Sequence, residues 1–133
     1  MKKFKMSVVA LVAALLVPSS TFANTIDPLG AGEWDYLGEE TLYSNGAESH
    51  VYASGGGDYK ICRDPYVGPA GELKVELWEY DPDSYNDYVG TRYIARGKCG
   101  VFTNIGRFVD GGNQAEFFAK SRSSSTMRLI FFD

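Results

Sequence analysis

One histidine, two cysteines and five prolines are thin provision for a chain of 133 residues, and each shortage excludes a class of chemistry. Structural and catalytic zinc sites draw on several Cys or His ligands at short spacing, whereas His50 stands alone and Cys62 and Cys99 lie far apart. The Cys-x-x-Cys spacing of dithiol redox centres is missing as well. Positive charge is scarce: 13 Lys and Arg against 17 Asp and Glu leave a net charge of −4. Nucleic-acid binding needs a basic face, so it is not expected. Long apolar runs are also lacking, and the one from Val8 to Val17 is too short to span a bilayer as a helix. Past that run, no segment combines helical periodicity with caps.

What is present begins at the N-terminus. Met1-Lys2-Lys3-Phe4-Lys5 is basic, Val8–Val17 is apolar, and Pro18-Ser19-Ser20-Thr21-Phe22-Ala23 supplies small residues at a cleavage point. This is the pattern of a secretory signal peptide, residues 1–23. Cutting after Ala23 leaves residues 24–133, 110 of the 133, and removes three lysines, so the charge falls from −4 to −7. Asn24 follows the cut where a lipoprotein would need Cys. The expected product is therefore a secreted, extracellular protein with no integral membrane segment after processing. Its partner would be an extracellular protein, a glycan or another cell-envelope component.

In an oxidising exterior, an even pair of cysteines in a small domain most often forms a disulfide, so Cys62 and Cys99 are expected to bridge. The rest of residues 24–133 is rich in Tyr, Phe, Val and Gly, a composition that favours strands. Strands are predicted at 33–43, 48–54, 58–62, 73–80, 88–95, 99–105, 113–120 and 127–132. Ser44-Asn45-Gly46, Gly55-Gly56-Gly57 and Asp110-Gly111-Gly112 mark turns between them. Leu73, Val75 and Leu77 fall on one face of their strand, with Lys74, Glu76 and Trp78 on the other. The prediction is an all-β fold, a small antiparallel β-sandwich of about eight strands with one disulfide, forming a single domain over 24–133.

The segment 75–90, Val-Glu-Leu-Trp-Glu-Tyr-Asp-Pro-Asp-Ser-Tyr-Asn-Asp-Tyr-Val-Gly, concentrates the chemistry. Strand parity places Glu79 and Asp81 on the side of Val75 and Leu77 but past the apolar stretch, at the rim of the core. Asp83 and Asp87 share the same connection. Clustered carboxylates on a turn suit a hard cation such as calcium, which takes six to eight oxygens, and they also suit an ordinary acidic hairpin loop. The spacing Glu79-x-Asp81-x4-Asn86-Asp87-x-Val89-Gly90 resembles a calcium loop of the lipid-binding sandwiches of the synaptotagmin and protein kinase C type. That resemblance, confined to residues 75–90, implies a sandwich fold and calcium ligation by Asp81 and Asp87, with Glu79 in place of an aspartate.

Tyr80, Tyr85 and Tyr88 flank the acidic segment and cannot all be buried there, which makes them the candidate binding residues. Other aromatics are expected chiefly in cross-strand pairs. Glu33-Trp34-Asp35-Tyr36-Leu37-Gly38 resembles the start of lactococcin-type secreted bacteriocins, which would imply an antibacterial role. His50 and the serines at 121 and 123–125 form no recognisable nucleophile–base pattern. The expectation is a non-enzymatic binding module assisted by calcium. A bacteriocin-like toxin and an inhibitor of a secreted hydrolase, presenting Arg63–Gly71 as its contact loop, are the alternatives.

Overall fold

The computed structural model describes residues 33–133; the signal peptide expected at 1–23 lies outside them. Eight strands form: β1 (Tyr36–Leu42), β2 (Tyr52–Ser54), β3 (Tyr59–Arg63), β4 (Leu73–Glu79), β5 (Asp87–Ile94), β6 (Cys99–Phe102), β7 (Ala115–Ser121) and β8 (Met127–Phe132). They make two four-stranded antiparallel sheets, ordered β1-β8-β3-β6 and β2-β7-β4-β5. Only the β4–β5 connection stays within one sheet, because every other consecutive pair of strands changes sheet. The two sheets are therefore laced together by six crossings, and the β4–β5 hairpin projects from this frame.

The facing sides of the sheets carry the alternating apolar residues that parity predicts. Val75 and Leu77 of β4, Phe117 and Ala119 of β7, Met127, Leu129 and Phe131 of β8, and Tyr59 and Ile61 of β3 are all fully buried between the layers. Tyr52 of β2 stacks on Phe131, ring centroids 4.6 Å apart. Gly38 makes that stack feasible, since a side chain there would run into the Tyr52 ring. β8 is an inner strand, paired on one side with β1 and on the other with β3; its inward residues are fully buried, and its outward Ile130 and Phe132 are half-buried, Phe132 against the Tyr36 ring and Lys60.

Three local departures from expectation have physical causes. The predicted strand 99–105 stops at Phe102, and Ile105–Phe108 forms a single 3-10 turn that buries Ile105 against the core. The predicted strand 48–54 shrinks to three residues, leaving an isolated bridge between Glu48 and Lys120. Glu76, on the outward face of β4, is nevertheless almost fully buried. Burial works against its ionisation, but hydrogen bonds from Arg122, Trp78 and Lys74 outweigh that and hold its carboxyl below the usual range.

Cys62 and Cys99 are bonded, as expected, and they sit directly opposite each other on β3 and β6. The bridge thus fastens the edge strand β6 to its sheet, close to the end where Arg63 is buried. Arg63, 1% exposed, donates from Nη1 to the carbonyls of Gly71 (2.6 Å) and Ile94 (2.8 Å), and from Nη2 to Pro69 (2.7 Å). It therefore binds the end of β3 to the 64–71 connection and to the other sheet. Burial first, and the neighbouring Arg96 second, lower its pKa.

Candidate functional site

The opposite end of the sandwich gathers acids. There β4 ends at Glu79 and β5 starts at Asp87, and these two residues are paired across the ladder. The 80–86 connection closes on itself: the Asp81 N–H donates to Asn86 Oδ1 (3.1 Å) and the Asp83 N–H donates to Asp81 Oδ1 (2.9 Å). These are turn-forming Asx contacts of the kind short polar side chains supply. Asp83 and Asp87 are exposed and Asp81 is half-buried. The Asp81 carboxylate is thus engaged in shaping the loop.

Glu79 is different. As parity predicted, it turns to the core side of β4, and it is only 5% exposed. One carboxylate oxygen from each of Glu79, Asp110 and Glu116 lies within 4.8 Å of the other two. Glu116 arrives on β7, the partner of β4, and just past the end of β4 the Tyr80 N–H donates to the Glu116 carbonyl (2.7 Å). Asp110 arrives on the tight turn before β7, where the Asn113 N–H donates to its carbonyl (3.0 Å) and Asn113 itself takes a left-handed φ of 58°. Among the described residues, no basic side chain forms an ion pair with any of the three. Burial first, then the charges of Asp81, Asp87, Asp110 and Glu116, push the Glu79 carboxyl up to about 7.

Of the four acids singled out from the sequence, then, Glu79 alone lies in the close carboxylate group, and Asp81 and Asp87 act on it as nearby charges. Sequence reading missed Asp110 and Glu116. Asp110 carried only a turn signal, and Glu116 sat on the solvent parity of its strand. The signal that finds them is the pairing of β7 with β4, which joins residues some forty positions apart and has no local signature.

The tyrosines stand beside this acidic end. Tyr80 is 42%, Tyr88 51% and Tyr85 93% exposed. Tyr88 lies across the Trp78 ring in an edge-on contact at 5.3 Å, and its hydroxyl is 2.6 Å from Thr91 Oγ1. Lys120 Nζ sits 5.4 Å from the Trp78 ring centre. Tyr93, farther along β5, is also exposed. An aromatic row therefore runs from the tip of the β4–β5 hairpin along the outward face of its sheet.

The other candidates lie elsewhere. His50 projects into solvent with its Nδ1 2.8 Å from Glu40 Oε2 and its side chain 83% exposed. The 64–71 connection is pinned from within by Arg63 and from outside by Arg96, whose Nη1 donates to the Gly68 carbonyl (3.0 Å). Gly68 needs its left-handed φ of 80°, and a side chain there would collide with the Thr126 carbonyl. Tyr66, 89% exposed, projects from that connection. Asp64 Oδ1 accepts the Tyr66 N–H at 2.6 Å. Among the described residues, no helix is long and apolar enough to cross a membrane.

Comparison with known proteins adds kinship. Residues 36–131 match the family described as the YndA coiled coil domain. A relative from Bacillus subtilis (strain 168), called an uncharacterized protein YndA, is 37% identical over 133 residues, covering 96% of this chain and 93% of its own length. The matched stretch runs from the first residue of β1 almost to the end of β8. In this chain it is built of strands with two-residue alternation, not of coiled helices.

Proposed function

From the premise that the chain belongs to the YndA coiled coil domain family, we propose that it is a secreted, non-enzymatic binding module that holds an extracellular glycan. The observation that carries this reading is the exposure of Tyr80, Tyr85 and Tyr88 next to Trp78 on one rim of the molecule. Tyrosine and tryptophan rings offer flat apolar faces with a polar edge at low conformational cost, the chemistry that sugar rings accept. The carboxylates around them accept hydrogen bonds from hydroxyls and disfavour polyanionic polymers. His50, in solvent against Glu40, lacks the buried, oriented surroundings of a general base.

The test is retention of purified residues 24–133 on insoluble envelope glycans, including peptidoglycan and neutral wall polysaccharide. Tyr85→Ala and Tyr88→Ala are expected to lower retention about tenfold or more, the effect of removing a central aromatic contact. Retention by neither glycan, or full retention by both variants, would overturn the reading.

One observation favours a second reading, inhibition of a secreted hydrolase. The 64–71 connection is braced on several sides while Tyr66 stands out from it, and a rigid loop with a projecting side chain is what a resistant inhibitor presents. Such an inhibitor would slow a protease that cuts after aromatic residues and survive long incubation with it. Prompt cleavage after Tyr66 would dismiss it.

A further inference from the structure

We propose that Glu79, Asp110 and Glu116 form a binding site for a divalent cation of calcium's size. Three carboxylates converge with oxygens no more than 4.8 Å apart. An oxygen triangle of that side has its centre about 2.8 Å from each corner, so a slight contraction reaches calcium–oxygen distances, whereas magnesium would need a much tighter set. All three ligands are hard oxygen donors, which favours calcium over zinc or copper.

Acids clustered at a protein end are common without an ion, and the buried member sets this group apart. Glu79 is more than nine-tenths buried, one of its carboxylate oxygens faces those of Asp110 and Glu116, and among the described residues no basic side chain pairs with it. A buried carboxylate ordinarily has donors or a cation around it. Here the missing partner is supplied by a doubly charged ion, which would neutralise most of the local charge and leave coordination positions for water. Asp81 and Asp87 add negative potential from just outside the group.

Such an ion would tie the end of β4 to β7 and to the turn at Asp110, beneath the tyrosine-bearing hairpin. It is independent of what the tyrosines hold, and it differs from the ligand set that loop spacing alone suggests, since Asp83 is not part of it.

The experiment compares thermal unfolding of purified residues 24–133 in chelator and in millimolar calcium, with terbium luminescence sensitised by nearby aromatics as a direct probe of occupancy. Wild type and Asp83→Asn are expected to gain about 5 °C or more with calcium, as an ion binding only the native state requires. Glu79→Gln and Asp110→Asn should lose that gain and the terbium signal, while melting in chelator no lower than wild type, which shows that they fold. Absence of both signals in wild type would overturn the site, as would a gain retained by Glu79→Gln or lost equally in Asp83→Asn. Persistence of the gain in a protein that retains no glycan would leave the cation site standing and remove only the glycan reading.

Discussion

Two charged side chains are buried at opposite ends of this sandwich, and their surroundings could hardly differ more. Arg63 is held at its tip: three carbonyls, two on the 64–71 connection and one on β5, accept hydrogens from its two terminal nitrogens, only its buried Nε goes without a partner, and the Cys62–Cys99 bridge lies beside it. Glu79 is surrounded by four further acids and paired with no base among the described residues. A buried ion that holds structure together is recognised by the several hydrogen bonds it makes to separate parts of the chain. One left opposed by its neighbours lowers stability unless something from outside completes it, and that is the usual mark of a site in use. The braced end therefore accounts for rigidity, and the acidic end is where the proposed glycan and cation sites lie.

The comparison breaks most visibly at the braced end. Replacing both cysteines by alanine should destabilise the domain by about 3–4 kcal/mol, the loop-closure value for a separation of this length, as measured by urea unfolding under non-reducing conditions. Arg63→Met comes next, at about 2–3 kcal/mol, because three carbonyls lose their donor inside the protein. The same substitution should make the 64–71 connection sensitive to proteolysis. If Arg63→Met were neutral, the contrast between the ends would dissolve.

At the acidic end the sign reverses. Glu79 has its carboxyl pushed up to about 7, above the roughly 4.3 of an unfolded chain. The native state thus binds the proton more tightly than the unfolded one, and the stability that proton confers is lost as pH rises from about 4.3 through about 7. In chelator, Glu79→Gln should therefore be more stable than wild type by about 1–2 kcal/mol at pH 8, a figure reduced for screening at the rim. The advantage should vanish near pH 4. A variant less stable than wild type at pH 8 would show that the carboxylate is satisfied by groups already in the protein. Smallest of all is the expected stability change in Tyr85→Ala, within about 0.5 kcal/mol for a side chain so exposed. Its binding defect, if present, then reports contact and not unfolding.

How much of this was legible beforehand varies from residue to residue. The two-residue alternation of Leu73, Val75 and Leu77 marked β4 and its buried face, and continuing that parity placed Glu79 at the rim of the core. A single pair of cysteines left one pairing to expect. The exposure of Tyr80, Tyr85 and Tyr88 followed from crowding three rings onto one short connection. Burial of Glu76 did not follow, because its cover comes from Arg122 beyond β7, a residue distant in sequence. Nor did Arg63, which appears from the sequence as one more basic residue at a strand end.

Alternation, turn chemistry and cysteine number are local properties, and from them the chain determines its strands, their inward faces and its one covalent bridge. Which strands become neighbours is a different matter, decided when two apolar sheet faces close on each other and register is chosen by burial over the whole molecule. Only that choice sets β7 beside β4 and so brings Glu116 and Asp110 to Glu79. The contact between these carboxylates joins residues across a long stretch of chain, and no pattern within either segment could have announced it.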